Sequence, residues 1–210
     1  MKNITFFEKQ LKRREIFSGG AVNFRADSIR LPDGKTAMRE FMDHPGAVAV
    51  LPVLAAPLPK LSRRWTPQSG FPYDVDVILV RQYRYPVGET TLEVPAGKLH
   101  SKNDPPAKRA RAELREETGY TAASLKPIMS FWPTPAFSNE LLHIYIAAGL
   151  KAGKTRPDED EFIKVERMPF KKALRLVRNG KIRDAKTIIA LQAYQIMRTM
   201  RKSEHKTTKR

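Results

Sequence analysis

The chain has 210 residues, 41% of them hydrophobic, which is enough for one domain with a substantial core. Its formal net charge is +17, from 39 Lys and Arg against 22 Asp and Glu, and such a charge favours anionic partners such as nucleotides, nucleic acid or acidic lipid. The absence of cysteine excludes disulfides and thiolate zinc sites, and no apolar run reaches about 18 residues and no signal-peptide core is present, so we expect a soluble, cytoplasmic protein without a membrane span.

The N-terminal part of the sequence predicts a basic arm followed by a small β domain. Residues 1–15 form a short helix or an arm, and alternating apolar residues from Ile16 to His44 predict strands joined by a hairpin turn at 31–35. Basic residues are concentrated in this arm and near the C-terminus. We interpret both ends as solvated tails, with nucleic-acid binding as the alternative.

A proline-rich segment separates two predicted buried strands. Ala47 to Leu51 is a continuous apolar run that predicts the first strand. Prolines then interrupt residues 54–73, so this stretch is a loop, and at about 20 residues it is longer than most loops. We interpret it as a surface insertion; a functional segment, which covers a ligand site or extends an interface between subunits, is the alternative.

The remainder of the sequence mixes strands and helices. Further strands are predicted at 74–84, 90–94, 125–132, 141–148 and 162–167, and helices at 105–118, at 169–178 and from a cap at Asp184 to about Met200. Because this order lacks a regular βαβ alternation, we predict an α+β fold with layered α/β/α architecture. The predicted domains are 1–45, the arm and small β domain; 46–200, the main domain with its 54–73 insertion; and 201–210, a basic tail.

The predicted helix at 105–118 carries a cluster of acidic residues. Glu113, Glu116 and Glu117 are spaced three and four apart, which places them on one helix face. Like charges at that spacing repel one another, whereas Mg²⁺ binds carboxylate oxygens and retains waters and substrate phosphates as further ligands. The cluster therefore predicts a Mg²⁺ site, with Mn²⁺ also accepted; a solvated, charged helix face is the alternative. Asp104 is the predicted helix cap, and Gly119 the predicted left-handed C-terminal residue.

This arrangement resembles the Nudix box, in which a glycine and a loop precede a helix with the pattern R-E-hydrophobic-x-E-E-x-G. Here the glycine is Gly97, and the helix reads AELREETG over residues 112–119. Ala112 replaces the family arginine, with Arg111 and Arg115 close by. The spacing from Gly97 to Glu113 is one residue longer than usual, and Asn103-Asp104 stands where the family has a loop glutamate. These departures affect the groups that support the site rather than its three glutamates.

Further segments are similar to the branch of ADP-ribose and nucleoside-diphosphate-sugar pyrophosphatases. They are MRE at 38–40, HPGAVAV at 44–50, VRQYRYPVG at 80–88, LEVPAGKL at 92–99, PAFSNE at 135–140 and DAKT at 184–187. The resemblance implies the Nudix fold, a mixed β-sheet between helices preceded by a small antiparallel β domain. It also implies a homodimer that exchanges this β domain and completes each substrate site with the partner chain. The implied reaction is Mg²⁺-dependent cleavage of the diphosphate of a nucleoside diphosphate sugar, by default ADP-ribose, to a nucleoside monophosphate and a sugar phosphate.

The resemblance also implies roles for individual residues. Glu113, Glu116 and Glu117 hold the metal, with the backbone carbonyl of Ala96 as a further ligand, and Glu116 is counted as catalytic too. A glutamate on a loop after the box acts as general base; Glu159 and Glu161 are the candidates, and we favour Glu161 over Glu159, with a solvated acidic loop as the alternative. The remaining assignments are Arg84 for the diphosphate, Arg39 and Glu40 across the dimer, Glu140 for the terminal sugar, and Phe24 for base stacking, with core packing as the alternative for Phe24.

Two other functions are left open by the sequence. A Nudix hydrolase of RNA caps or dinucleoside polyphosphates would exploit the positive charge, and a steep fall of RNA affinity with salt would support it. A non-catalytic sensor of nucleotide sugars is the second, because Ala112 and Asn103 would then mark lost chemistry. The three retained glutamates argue against this sensor.

Overall fold

Eleven strands and three α-helices form the described part of the protein. The structure, a computed structural model, describes residues 6–55, 75–156 and 161–207, with side chains as far as residue 197. The strands are β1 Lys9–Lys12, β2 Glu15–Ser18, β3 Asn23–Arg30, β4 Thr36–Asp43, β5 Ala47–Leu54, β6 Asp76–Arg84, β7 Glu89–Glu93, β8 Ala96–Lys98, β9 Thr121–Phe131, β10 Leu142–Lys151 and β11 Lys164–Pro169. The helices are α1 Pro106–Thr118, α2 Phe170–Arg178 and α3 Ala185–Thr207.

Seven strands form a mixed sheet with β5 at its centre. The order is β11-β6-β5-β10-β9, with β7 beside β6 and β8 beside β5. β5 and β10 run parallel, and the other pairs are antiparallel. β8 pairs with the first residues of β5, and β6 pairs with the last two. The backbone of Ala96 and Gly97 is therefore held in the middle of the sheet, next to the loop that leads into α1.

The two faces of this sheet are covered by different helices. Successive residues of a strand point to opposite faces, so Val48 and Val50 of β5 pack in the cluster beneath α1, which includes Ala110 and Leu114. The alternate β5 residues pack in a second cluster with α2 and α3: Ala47, Ala49, Leu51 and Val53. The predicted layered α/β/α architecture, a mixed sheet between helices, is confirmed.

A small antiparallel sheet precedes the main sheet, as predicted. β4 lies on one side of β3, and β1 and β2 share the other edge. Between them, the N–H of Ala26 donates to the carbonyl of Arg14 (2.9 Å), and the N–H of Arg14 donates to the buried carboxylate of Asp27 (3.2 Å). The alternative of a helix over residues 1–15 is wrong for the described part, because edge pairing to β3 satisfies this backbone.

The small sheet is attached to the main sheet through the loop at 132–141. The N–H of Met42 donates to the carbonyl of Phe137 (2.8 Å), and the N–H of His44 donates to the side-chain oxygen of Asn139 (2.7 Å). The Asn139 amide in turn donates to Asp43 (2.7 Å). These bonds fix the end of β4 against the main domain.

Several predicted bounds differ from the structure. β5 continues through Pro52 to Leu54, β8 is an additional strand, and α3 extends past its predicted end at Met200 to Thr207. The predicted insertion 54–73 lies outside the described residues except for its first two positions. None of the described helices has the length and apolar character needed to cross a membrane.

Candidate active site

Helix α1 ends as the sequence predicts, but its N-terminus is capped differently. Asp104 does not cap it: its carboxylate accepts the backbone N–H groups of His100 (2.7 Å) and Ser101 (3.2 Å), which closes the loop before the helix. Pro105 precedes the first turn without a side-chain cap. At the other end Gly119 adopts φ 74°, and its N–H donates to Arg115, as the predicted left-handed terminus requires.

Two of the three clustered glutamates lie on the buried face of α1. Ala110, Glu113, Leu114 and Glu117 are all buried, at the i, i+3, i+4, i+7 spacing of a core-facing stripe. Glu113 is 4% exposed and Glu117 is 5% exposed, whereas Glu116 is half-buried at the edge of the stripe. Carboxylates thus occupy positions where a helix packed on a sheet normally carries apolar side chains.

Burial raises the pKa of both carboxyls. The pKa of Glu113 is raised to about 7, mainly by burial, against the opposing charge of Arg109 and with a further contribution from the charge of Glu116. The pKa of Glu117 is raised to about 8, again mainly by burial, with repulsion from Glu113 next. The negative charge of Glu161 raises both pKa values as well. The site is therefore short of positive charge.

Gly97 makes room for the Glu113 carboxylate. A Cβ atom at residue 97 would lie 1.5 Å from Oε1 of Glu113 and 2.1 Å from its Cδ. Because such a contact is impossible, only glycine permits this carboxylate to rest against β8. The neighbouring Ala96 is close to the other buried carboxylate: its N–H donates to Oε1 of Glu117 at 3.4 Å.

Arg109 lies between two of the glutamates. Its guanidinium forms an ion pair with Glu113 one turn further along α1, and Nη1 lies 3.4 Å from Oε2 of Glu116. Within the described residues, Nε of Arg109 and Oε1 of Glu113 are the buried side-chain polar atoms that have no hydrogen bond. The ion pair therefore compensates the charge of Glu113 without satisfying the hydrogen-bonding capacity of its oxygen.

These features fit a divalent cation. The donors are hard carboxylate oxygens, one of them is buried without a hydrogen bond, and glycine leaves space beside it. Arg109 lies among the glutamates. Within the described residues, no three acidic or histidine side chains are arranged so that they could bind one metal ion. The ligand set of Glu113, Glu116, Glu117 and the Ala96 carbonyl accordingly stays a prediction.

A buried ion-pair network adjoins this site. Glu93, 2% exposed at the end of β7, accepts Nε and Nη2 of Arg84, both at 2.9 Å. It also accepts the hydroxyl of Thr91 (2.5 Å) and forms an ion pair with Lys186 at the start of α3. Although burial alone would raise it, the pKa of Glu93 is lowered to about 2 by Arg84, Lys186 and Thr91.

The network lines a cleft of about 460 Å³. Arg84 and Lys186 both reach this cleft, together with Asp184. The charge of Glu117, on α1, contributes to the raised pKa of Arg84 after the dominant bond to Glu93. Arg84 therefore lines the cleft, and its charge interacts with that of Glu117 on α1.

A family model described as the NUDIX domain matches residues 68–191. The chain belongs to the Nudix family. It is 38% identical over 191 residues to the ADP-ribose pyrophosphatase of Bacillus subtilis (strain 168), covering 90% of this chain and 93% of that protein. It is 35% identical over 198 residues to the methanol dehydrogenase activator of Bacillus methanolicus, covering 93% and 97%. The predicted resemblance to the Nudix family and its ADP-ribose pyrophosphatases is confirmed.

A solved crystal structure of an ADP compounds hydrolase has the same fold. It superimposes with a TM-score of 0.73 over 96% of this chain and 98% of that chain, at 17% sequence identity. At that identity the likeness concerns the fold alone. It supports the mixed sheet between helices.

An arginine outside the family position contacts the first glutamate of the Nudix box in this chain. The family pattern has arginine directly before the first glutamate, where this chain has Ala112. The structure brings a guanidinium to Glu113 from Arg109, four residues earlier and on the same helix face. Arg111, one of the two candidates near Ala112, instead donates to the carbonyl of Ala122 (2.9 Å).

Of the two candidate bases, one lies in the described structure. Glu161 is half-buried, and its charge reaches Glu113 and Glu117 strongly enough to raise the pKa of each. It is therefore close to the acidic face of α1, although more than forty residues away in sequence. Glu159 lies outside the described residues.

The predicted substrate contacts on the small sheet are separate from α1 within the described chain. Arg39 and Glu40 are exposed on β4, where Arg39 forms an ion pair with Glu8. Phe24 on β3 is 41% exposed, so core packing does not account for it fully. Glu140 is half-buried, and its charge acts on His44. No hydrogen bond or ion pair of the described residues connects any of these side chains to α1, the helix that carries the Nudix box.

Sequence reasoning missed three residues of this site. Arg109 could have been found from its i, i+4 spacing to Glu113. Glu93 and Lys186 fall in the LEVPAGKL and DAKT segments, but they are 93 residues apart, and the sequence contains no local signal that they pair.

Proposed function

We propose that this Nudix protein hydrolyses the diphosphate linkage of nucleoside diphosphate sugars, releasing a nucleoside monophosphate and a sugar phosphate. The observation that carries the proposal is the buried carboxylate of Glu113, which lies against Gly97 in an ion pair with Arg109, while the neighbouring Glu117 interacts with the charge of Arg84. ADP-ribose is the first substrate to test, because the Bacillus subtilis relative that covers most of the chain is named an ADP-ribose pyrophosphatase.

Mg²⁺ is the proposed metal, with Mn²⁺ as a substitute. Glu113, Glu116, Glu117 and the carbonyl of Ala96 would hold it, as the donor set favours a hard cation. When bound, Mg²⁺ neutralises charge on a diphosphate and makes an attacking water more acidic.

The side chains of the chain itself position the substrate and move the proton. Because Nε and Nη2 of Arg84 are bonded to Glu93, Nη1 is left to donate to a phosphate oxygen. Glu161 is the proposed general base: it accepts a proton as water attacks phosphorus, and the bond from phosphorus to the bridging oxygen breaks. Glu116, half-buried at the edge of the acidic face, is accessible to the same water.

The proposed enzyme is a homodimer in which the small sheet completes the partner's site. This explains why Arg39, Glu40 and Phe24 lie away from α1 in their own chain. Exposed apolar side chains are also numerous on this sheet, and Phe17 is 56% exposed. A second copy that covers this surface would bury them.

The reaction is tested by incubating the protein with ADP-ribose, ADP-glucose, GDP-mannose and capped RNA, with and without Mg²⁺. A phosphatase added to the assay releases phosphate from the products and reports cleavage. We expect cleavage of nucleotide sugars only with Mg²⁺ and none by Glu116→Gln. Cleavage of RNA alone would favour the cap-hydrolase alternative, and binding without turnover would favour the sensor.

Gly97→Ala provides a sharper test of the site geometry. Its Cβ displaces the Glu113 carboxylate, so we expect at least about a 100-fold loss of kcat, as for other displaced catalytic groups. Gly20→Ala is the matched control, because a Cβ there meets nothing within 4 Å. Equal activity of the two variants would contradict the proposed site.

Mixing two inactive variants tests the shared site. Glu116→Gln disables the Nudix helix of its own chain, and Arg39→Ala disables the contact proposed for the partner. A co-refolded mixture contains heterodimers with one intact site, so about one quarter of wild-type activity should return. Failure to recover activity, with dimers verified by light scattering, would refute the exchange.

A further inference from the structure

A track of positive charge lies at the C-terminal end of α1. One groove, of about 460 Å³, is formed where α1 meets the paired ends of β9 and β10; its cationic lining residues are Arg115, Lys151, Lys154 and Arg156. A second groove, of about 320 Å³, shares Arg115 and Thr121 with the first and adds Arg111. The two grooves thus adjoin, and no carboxylate of the described residues lines either.

The five cations of this track form no ion pair with another described residue. Within the described residues none of them forms a salt bridge; Arg111 donates only to a backbone carbonyl, and the backbone N–H of Arg156 donates to the carbonyl of Glu116 (2.8 Å). Elsewhere in the same protein, arginines such as Arg84 and Arg109 are paired with glutamates. Since like charges that share a surface repel one another, fold stability gives no reason to gather them.

Glycines shape the floor of the larger groove. A Cβ at Gly119 would lie 2.7 Å from the carbonyl oxygen of Gly153, and one at Gly153 would lie 3.0 Å from that of Gly119. The chain therefore passes closely at this point, and the two residues leave the space above them open to the surrounding cations. The helix turn and the strand ends are thereby fixed in relation to each other.

We propose that this track binds an extended phosphate chain, as in the backbone of single-stranded nucleic acid. Two adjoining open grooves suit an elongated ligand better than a single small anion, and Arg and Lys match phosphate oxygens. Among the described residues no aromatic side chain lines the track, so the track offers no platform for base stacking, and binding is independent of sequence. Inorganic polyphosphate has the same chemistry and is the second source of such a chain.

The site is distinct from the proposed substrate cleft. The cleft is lined by Arg84, Glu93 and Lys186, and it has no lining residue in common with the track. Occupation of the track and hydrolysis of a nucleotide sugar can consequently be tested separately.

Salt dependence of binding to labelled oligouridylate tests the proposal. For single strands, log K falls with log[salt] by about 0.7 for each phosphate neutralised, so five cations predict a slope of about −3.5. The double variant Lys151→Gln/Lys154→Gln should reduce the magnitude of the slope by about 1.4. If its affinity at 1 M salt is unchanged, it binds about 25-fold more weakly than wild type at about 0.1 M salt. Hydrolysis of ADP-ribose by this double variant should equal that of wild type, which verifies its fold.

The matched control removes two lysines outside the track, with Lys172→Gln and Lys181→Gln. Both residues are exposed, and the net charge falls equally. Equal weakening by the two double variants, or none by Lys151→Gln with Lys154→Gln, would overturn the proposal. Competition by oligothymidylate and by polyphosphate identifies a phosphate chain, and preference for RNA over polyphosphate identifies nucleic acid. If polyglutamate displaces the RNA as effectively as polyphosphate does, the proposal is overturned and the track binds an acidic protein surface instead.

Discussion

Replacing Glu93 with glutamine removes the one negative charge that joins Arg84 to Lys186. The substitution preserves size and leaves the hydroxyl of Thr91 a partner, but Arg84 loses its buried counter-charge and Lys186 keeps only its ion pair with Asp184 among the described residues. Breaking a buried pair in this way is costly, because an uncompensated charge is left behind. Arg84 also loses the bidentate bond that holds it at the cleft, so, from its proposed contact with the diphosphate, we expect KM for ADP-ribose to rise.

The pKa of Glu93 sets the size of the effect. Its pKa falls from an ordinary 4.5 to about 2 in the folded protein. At 1.36 kcal/mol per pKa unit, the network favours the ionised carboxylate by about 3 kcal/mol. Because the folded pKa is the lower one, this stabilisation is fully present above pH 4.5 and is lost as the pH falls towards 2.

Urea unfolding of wild type and of Glu93→Gln measures this contribution. At neutral pH we expect the free energy of unfolding of the variant to be lower by about 3 kcal/mol, or its Tm to be lower by about 6–12 °C for a domain of this size. This difference should shrink as the pH is lowered through 4.5. Glu89→Gln is the control, because Glu89 lies on the same strand and cleft but forms an exposed ion pair with Arg183, which is worth less than about 1 kcal/mol. A difference for Glu93→Gln that is small, or that stays constant down to pH 2, would refute the reasoning.

The Nudix helix gives two further predictions. Arg109→Gln should lower kcat by about 10- to 100-fold, because the contact with Glu113 is lost. Adding Ala112→Arg should restore part of kcat, because it returns a guanidinium to the family position. If the double variant shows no recovery, Arg109 does not take the place of the family arginine. In metal-free buffer, Tm should fall as the pH rises from 4.5 to above 8. The pKa values of Glu113 and Glu117 are raised to about 7 and about 8, so these carboxyls favour the folded state only while they keep their protons. Mg²⁺ should reverse this fall at high pH, and Glu113→Gln should reduce it; a Tm that is independent of pH over this range would contradict the burial argument.

The sequence could predict α1 and its acidic face because both depend on local spacing. Glutamates three and four apart share a face in any helix, and Gly119 supplies the left-handed terminus. The same local reasoning misassigned Asp104, because a loop offered its carboxylate two backbone N–H groups in competition with the helix end. It also left residues 1–15 as a helix or an arm, since pairing with β3 is decided by the partner strand.

The contacts that make the acidic face a site are long-range. The fit of Glu113 against Gly97 depends on β8 being paired with β5 in the centre of the sheet. The approach of Glu161 depends on the path of the chain between β10 and β11. A family resemblance could indicate such residues, but only the fold brings them into contact.

The contrast between the buried carboxyls separates structural from functional charge in this protein. Glu93 is in contact with two cations, Arg84 and Lys186, and its pKa is lowered to about 2. Glu113 and Glu117 are equally buried, but Arg109 is their one contacting cation in the described structure, and their pKa values are raised to about 7 and about 8. A carboxyl compensated by its own chain stabilises the fold, whereas a buried pair left short of positive charge is stabilised when a ligand supplies that charge. For hard carboxylate oxygen donors, a divalent cation is the ligand that meets this requirement.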